Sequence, residues 1–470
     1  MKKNSFIFLL ILFLCIVLRV YKLYDVPQGI HIDEAGMFVD AISLAETGMD
    51  RHGVRFPIYL ENFGQGQSIM YAYLLIPFIK IFGNSIILIR IPSLFFGVLT
   101  VIFGYFIAKE VYDEKKSLLF MFLLAICPYF IQSSRIGLDC NLFLSFLVIG
   151  LFFYIRAIKN SNNCLFCLSG FIFGLSLYTY ALSYIVIPVF MLCSLFFLLK
   201  NRFISFKNVF VVLIPILILA IPLLLFLLVN FGFMDEFSFI IFSIKRISIF
   251  RTSELGIMNV LDNLFAILEL LSYDFYDYNA LKLFGTVYYS LIPFFVYGLI
   301  VLIKHRENIV DKLVFLLFIC CYFCLLFIQD ININKSNYIF FSIIYIVFVG
   351  FINFSFKKVK YIVLIVSFLL FVFVYYGNDR LDRFYFDNEL FLMVGENYDM
   401  LKNKKVSIIS SNNQPKIYFD LGLRLINSNG KIIFDDVKYD ICISDDEKSC
   451  KDDMNLLKKY SRYSIYYKKK

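Results

Sequence analysis

The chain has 470 residues, of which 60% are hydrophobic and 17% charged, with mean hydropathy +0.77 and formal net charge +9. Soluble globular domains run at about 45–50% apolar and about 25% charged, so the composition excludes an ordinary soluble protein and defines a mainly α, polytopic membrane protein. The positive charge does not mark a nucleic-acid binder, because Lys and Arg gather between apolar runs, where orientation bias places them.

Met1-Lys2-Lys3 ahead of Ser5–Leu18 resembles a signal peptide, but no small-x-small cleavage site follows and Arg19 and Lys22 come at once. The reading is an uncleaved first span with its N-terminus inside. A span needs about 20 apolar residues. Candidate spans fall near 5–20, 90–108, 116–133, 140–158, 163–180, 183–199, 208–230, 285–303, 313–329, 337–353 and 360–376. With the apolar run 68–83 the total is 11–12 helices.

Basic clusters at Lys109/Lys115/Lys116, Arg156/Lys159, Lys200/Arg202/Lys207, Lys304/Arg306/Lys312 and Lys357/Lys358/Lys360 occupy alternate junctions, as positive-inside orientation requires. The other face receives 21–89, 134–139, the turn at 181, 231–284, 330–336 and the tail. That scheme needs 68–83 not to cross. The run holds Pro77 and Lys80 and ends at Gly83-Asn84, so it is expected to be re-entrant or interfacial.

Three segments lie outside the spans. In the first loop, Ala35, Phe38, Ile42 and Ala45 recur on one helical face, predicting a surface helix from Asp33 to Glu46 that Gly48 ends. The second segment is 231–284. The third, 377–470, is expected to be a small α/β domain with strands at Lys405–Ser410, Lys416–Phe419, Tyr439–Ser444 and Tyr463–Tyr467, and helices at Glu389–Leu401 and Asp452–Tyr460. The domain division is therefore 1–230, a module that includes loop 21–89; 231–284; spans 285–376; and 377–470. Cys442 and Cys450 lie in the polar tail and can pair if it faces an oxidising compartment. The other nine cysteines lie in or beside apolar runs and read as small apolar fillers.

Asp33-Glu34 opens the first-loop helix. Asp33 suits a helix N-cap and equally a general base that activates an acceptor hydroxyl or amine. Ser133-Ser134-Arg135-Ile136-Gly137-Leu138-Asp139 joins two apolar runs. It reads as a helix turn or as a second acidic corner on the same bilayer face as Asp33. Arg19 lies at the outer end of the first span, against the charge bias, where an anionic phosphate would explain it. Lys245, Arg246 and Arg251 are alternative phosphate ligands or a headgroup-facing surface. Glu61-Asn62-Phe63-Gly64-Gln65-Gly66-Gln67-Ser68 reads as a loop whose amides, Gln65 and Gln67, can bind sugar hydroxyls beside Glu61. There is no Walker loop, dinucleotide fingerprint or HExxH motif. A divalent metal, if one is used, would fall to Asp33 and Asp139.

These stretches resemble the GT-C superfamily of polytopic glycosyltransferases, in its protein O-mannosyltransferase and aminoarabinose-transferase branch. The matching residues are Arg19; Pro27-Gln-Gly-Ile-His-Ile-Asp33-Glu34-Ala35; Ala45-Glu-Thr-Gly48; Tyr71-Ala-Tyr73-Leu74; Ile81-Phe-Gly83-Asn84; Arg90-Ile-Pro92-Ser93-Leu-Phe-Phe-Gly97; Pro128; and Ser134-Arg135-Ile-Gly-Leu-Asp139. They span roughly residues 15–200. The resemblance implies a GT-C arrangement of helices, a sugar donor carried on a polyprenyl phosphate and an inverting transfer to a glycan, lipid or protein acceptor. It implies Asp33, with Glu34 beside it, and Asp139 as the catalytic carboxylates. The expected location is the cell membrane, with the N-terminus cytoplasmic and the site and tail extracytoplasmic. Where aminoarabinose-branch relatives carry Glu-Lys-Pro-Pro, this chain has Gly64-Gln65-Gly66-Gln67-Ser68. Arg135, Arg19 or the 231–284 loop would then hold the donor phosphate. Two alternatives are a flippase of lipid-linked saccharide and a non-catalytic scaffold. Transporters tend to hold ionisable residues at mid-membrane, and these apolar runs are nearly free of charge.

Overall fold

The helices follow the apolar runs. The computed structural model describes residues 3–62, 65–239, 242–247, 255–272, 281, 283–304, 308–377, 386–387, 389–402, 404–409, 415–425, 433–434, 439–445, 450 and 454–468. In chain order the first ten helices are α1 (Lys3–Val20), α2 (Ile32–Thr47), α3 (Met70–Phe82), α4 (Ile91–Lys109), α5 (Glu114–Ile126), α6 (Pro128–Ser133), α7 (Asp139–Asn160), α8 (Asn163–Ser176), α9 (Ser183–Lys200) and α10 (Phe206–Asn230). They are followed by α11 (Asn259–Asp262), α12 (Ala266–Leu271), α13 (Ile292–Lys304), α14 (Ile309–Leu325), α15 (Phe340–Asn353), α16 (Lys357–Gly377), α17 (Leu390–Glu396), α18 (Tyr398–Leu401) and α19 (Pro415–Leu425). Among the described residues, six helices are long and apolar enough to cross a membrane, or seven if one bent pair counts as a single span. Each expected span contains a helix, but the run 116–133 breaks between α5 and α6, where Pro128 has no N–H to continue the ladder. Helix α3 has 13 residues and is about 20 Å long, short of the roughly 30 Å hydrocarbon layer.

The chain divides into two compact units that cut across the expected linear domains. The first comprises Met1–Val26, Pro57–Tyr71 and Arg90–Asp379. It holds α1, α4–α16, a hairpin of β2 (Tyr59–Asn62) and β3 (Gln65–Ser68), and the antiparallel pair β4 (Phe237–Ser238) and β5 (Ser243–Ile244). The segment 61–68, expected to be a loop, is thus largely strand. At Gly66 an added Cβ would lie 2.0 Å from the Tyr59 ring, so any larger residue there must displace that ring. Within this unit α13 and α15 cross at glycines: a Cβ on Gly298 would meet the Ile346 carbonyl at 2.0 Å.

The second unit comprises Pro27–Phe56, Ala72–Ile89 and Arg380–Lys470. The tail therefore folds together with part of the first loop. Strand β1 (Ile30–His31) pairs antiparallel with β6 (Phe386–Asp387). Helix α19 packs on α2, and the Tyr418 hydroxyl donates to the Ile30 carbonyl at 3.0 Å. The tail sheet runs in the order β10 (Met454–Lys459), β11 (Ser464–Lys468), β9 (Ile441–Ser444), β7 (Lys405–Ile409), β8 (Ile433–Phe434), with β7 parallel to both its neighbours. Two tail assignments are reversed. Lys416–Phe419, expected as a strand, lies in α19, where Ile417, Leu421 and Leu425 recur every fourth residue. Asp452–Tyr460, expected as a helix, gives edge strand β10 because pairing with β11 overrides local preference. Lys458 and Lys459 sit on that edge, where charge discourages further pairing. Cys442 and Cys450 are joined by a disulfide. Helix α2 is not a surface helix: Ile32 and Glu34 through Leu44 are all buried, so the apolar stripe at Ala35, Phe38 and Ile42 is part of a helix covered on every side.

Candidate active site

Asp139 is the first residue of α7, where a helix N-terminus favours negative charge. Its Oδ1 accepts the Cys140 N–H at 2.8 Å, and its Oδ2 accepts the Ser68 N–H at 3.2 Å. The site therefore joins two segments singled out in the sequence, the 61–68 stretch and the 133–139 turn. Asn141 braces the turn by donating to the carbonyls of Ser133 and Ile136 at 2.8 and 2.9 Å. From loop 330–337, the Asn337 amide donates to the Cys140 carbonyl.

The hairpin register puts Tyr59 opposite Ser68, and Glu61 opposite Gly66, so these four share one face. Leu60 and Gln67 lie on the other. The Gln67 side chain is buried, and its Oε1 has no hydrogen-bond partner among the described residues. The side chain of Gln65 lies outside the described residues. The Tyr59 ring packs on Phe226 of α10 at 5.0 Å. The Met70 N–H donates to the Tyr178 carbonyl at 3.1 Å, holding the end of the hairpin to the segment that leads into α9. That segment delivers Tyr184, whose hydroxyl is buried and lies within electrostatic range of Asp139, Tyr59 and Tyr178.

Tyr184 also lines an apolar cavity of about 380 Å³ between α9 and α10, with Ile187, Met191, Leu195, Leu217 and Leu224 along it. Leu192, Leu217 and Leu224 on its walls are exposed, so it opens outward. Neither Tyr184 nor Ser68 was assigned a binding role from the sequence. The available signal was the cluster Tyr178, Tyr180 and Tyr184 at a turn between two apolar runs.

The two buried arginines expected to bind phosphate have another role. Arg135 is fully buried, and all five of its N–H groups donate to the carbonyls of Leu18, Arg19, Lys22 and Val26. Its guanidinium also lies over the rings of Tyr375 and Tyr376, at 5.7 and 5.2 Å. Arg19 is equally buried and donates to Ser134 Oγ and to the carbonyls of Cys15, Ala125 and Phe130. Both fasten the end of α1 to the 125–135 segment. The reading as phosphate ligands is corrected for both, because their donors are already engaged by protein. On the later loop, Arg246 donates to the carbonyls of Val229 and Met234 and approaches Asp235 at 3.9 Å. Lys245 is exposed and makes no polar contact with the described residues. Ile247, two residues on, lies within 3.0 Å of where a Gly66 Cβ would stand. Arg251 lies outside the described residues.

In the second unit the N-cap of α2 is His31, not Asp33: its Nδ1 accepts the Asp33 N–H at 3.1 Å. Glu34 completes a capping box, its carboxylate accepting the His31 N–H at 2.8 Å. Glu34 is fully buried and holds the helix start, which corrects its catalytic reading. The Asp33 side chain is 39% exposed at the second helical position. Its carboxylate lies 3.6 Å from His31 Nδ1, but that nitrogen is already an acceptor, so the contact is not an ion pair. Deeper in α2, buried Asp40 accepts the Arg51 N–H at 3.0 Å and faces the Arg51 guanidinium at 3.5 Å. Burial nonetheless pushes its carboxyl up to about 6, Arg51 and His52 pulling it down and Asp50 adding to the rise.

Asp33 and Asp139 belong to different units. Among the described residues, no three His, Cys, Asp or Glu side chains gather as metal ligands.

Residues 66–226 match the dolichyl-phosphate-mannose-protein mannosyltransferase family model. In structure the chain is similar to ArnT from Cupriavidus metallidurans bound to undecaprenyl phosphate, at 9% identity over 98% of this chain and 97% of that one, with TM-score 0.62. It is also similar to the oligosaccharyltransferase AglB from Archaeoglobus fulgidus, in complex with an inhibitory peptide and a dolichol-phosphate. There the identity is 13% over 94% of this chain and 69% of that one, with TM-score 0.53. No curated protein matches in sequence. The family match covers residues 66–226, and the likeness to these solved structures shows a shared fold.

Proposed function

We propose that this protein transfers a sugar from a polyprenyl-phosphate donor to an acceptor outside the cytoplasm. The observation that carries the reading is the apolar cavity between α9 and α10, lined by Tyr184 among aliphatic side chains and open past exposed Leu192, Leu217 and Leu224. An open, aliphatic-lined cavity suits the hydrocarbon tail of a lipid substrate. The undecaprenyl phosphate on ArnT and the dolichol-phosphate on AglB support the same donor class. In the proposed step an acceptor oxygen or nitrogen bonds to the anomeric carbon with inversion. Its proton passes to a carboxylate, and the bond from the anomeric carbon to the phosphate oxygen breaks with its electron pair on the departing polyprenyl phosphate. Asp33 and Asp139 are the proposed carboxylates. Lys245, exposed on the loop that reaches Gly66, is the proposed phosphate ligand, in place of Arg19 and Arg135.

The Cys442–Cys450 disulfide supports an extracytoplasmic tail, since such bonds persist in oxidising compartments. The alternating basic clusters support a cytoplasmic N-terminus, and a plasma-membrane location is proposed with it. The test is transfer from radiolabelled polyprenyl-phosphate sugars by membranes containing the protein, alongside mass spectra of cell-envelope glycans with and without it. A glycan lost with the protein and restored by it is expected. Unchanged glycans and no transfer would reject the reading.

A further inference from the structure

A second cavity, of about 400 Å³, lies where α9, α13 and α14 meet, with Phe197, Lys304, Lys312, Phe315, Leu316 and Ile319 along it. It is well separated from the candidate active site. Tyr178, just ahead of α9, accepts a hydrogen bond from Met70, and Ser68 beside it donates to Asp139. Helix α9 then runs 18 residues, roughly 27 Å, to Lys200, and Phe197 lies in its last turn. Lys304 ends α13 and Lys312 is the fourth residue of α14, so both ammonium groups stand at this far end. Their junction is one that the charge bias assigns to the cytoplasmic side. Below Lys312, the side chains of Phe315, Leu316 and Ile319 follow at three-, four- and seven-residue steps, an apolar stripe about 10 Å long on one face of α14. Ile303 and Ile319 are exposed, so the cavity opens sideways, where lipid would lie.

We propose that this groove binds an anionic phospholipid of the membrane, its head group at Lys304 and Lys312 and an acyl chain along Phe315 and Ile319. Charge complementarity selects that occupant. Neither lysine side chain has a polar partner among the described residues. Basic residues at neighbouring junctions are matched: Lys159 and Arg156 meet Glu110 at 2.8 and 3.6 Å, and Lys360 donates to the Phe354 carbonyl at 3.0 Å. The carboxylate next to Lys312 in sequence does not neutralise it. Asp311 is buried, and its Oδ1 accepts the hydroxyls of Tyr112 and Tyr345 at 3.0 and 2.6 Å. Two unmatched ammonium groups above an apolar groove fit a ligand with a negative head and a hydrocarbon tail. The cytoplasmic leaflet supplies such lipids, and its surface is negative for that reason. The site stands whether or not the proposed sugar transfer does.

The test uses the full chain in nanodiscs of equal parts dioleoylphosphatidylglycerol and dioleoylphosphatidylcholine, with the lipids retained on the released protein read by native mass spectrometry. The wild type is expected to retain the anionic lipid in about tenfold or greater preference over the zwitterionic one. Lys304→Gln and Lys312→Gln should each reduce that preference about fivefold. Both positions are at the polar end of the bundle, so the variants are expected to fold. A control pair, Lys115→Gln with Lys207→Gln, removes the same charge from exposed positions and should leave the preference in place. Equal retention of the two lipids by the wild type would overturn the site. So would variants that keep the preference, a control pair that loses it equally, or a dimer of the chain that the groove substitutions break.

Discussion

The backbone N–H of Ser68 donates to Oδ2 of Asp139 at 3.2 Å, across 71 residues of sequence. The pairing of Ser68 with Tyr59 fixes the donor, and the Asn141-braced start of α7 fixes the acceptor. The carboxylate is thereby aimed by main chain, which holds direction better than a surface side chain would.

Asp139→Asn keeps the size of the side chain and one acceptor oxygen while removing its charge and basicity. Transfer from a polyprenyl-phosphate sugar is expected to fall about 10²–10⁴-fold, while loss of one of the two N–H contacts costs only about 1–3 kcal/mol of stability. Transfer at the wild-type rate would remove Asp139 from the chemistry.

Asp33 and Glu34, adjacent in sequence, should separate cleanly. Asp33→Asn is expected to reduce transfer on the same scale and leave the melting point in place. Glu34→Ala breaks the capping box and leaves a buried His31 N–H without its acceptor, costing about 0.5–2 kcal/mol. The reverse pattern would make Glu34 the functional carboxylate.

Arg135→Lys keeps the charge but replaces a five-donor fork with a three-donor point. At least two of the present bonds to the carbonyls at the end of α1 must then be lost. At about 1–3 kcal/mol for each buried group left unsatisfied, a marked drop in melting temperature is expected. The affinity of the folded fraction for undecaprenyl phosphate should not change. Weaker lipid binding at unchanged stability would restore Arg135 as a phosphate ligand.

Asp40 gives the second unit a pH dependence of defined sign. Its carboxyl sits at about 6 when folded, against an ordinary 3.8, because burial penalises the charged form. The folded state therefore binds the proton more tightly than the unfolded state. Stability from this group rises as pH falls through about 6 and levels off below about 4, a span worth about 3 kcal/mol. Amide exchange in α2, corrected for its intrinsic pH dependence, should slow between pH 7.5 and 5, and Asp40→Asn should flatten that trend. Faster corrected exchange at pH 5 would contradict the assigned direction.

Cys442 and Cys450 should resist alkylation in intact cells until a reductant is added. Opening their short loop, eight residues in sequence separation, is expected to cost roughly 2–3 kcal/mol. Immediate labelling of either thiol without reductant would place the tail in a reducing compartment.

The membrane helices were legible because runs of about 20 apolar residues leave few other options. The cap of α2 was misassigned because His31 took a role that residue preference gives to Asp. The arginines were misread because charge pattern places a guanidinium but does not reveal which carbonyls surround it, and Arg135 is filled by carbonyls more than a hundred residues away in sequence. The reversed tail elements, 416–419 and 452–460, are short segments in which a neighbouring strand or helix face decides the conformation. The hairpin at 59–68 was hidden by its Gly and Gln content, poor in strand formers.

The two-residue strand leading into Asp33 is paired with Phe386–Asp387, and α2 behind it rests on α19. During synthesis the first partner emerges more than 350 residues ahead of the second. The carboxylate corner at Asp33 therefore lacks its partners until residues 386–425 have been made. Truncating the last ninety residues would not yield a shortened but working protein; it would leave one that never finishes its own beginning.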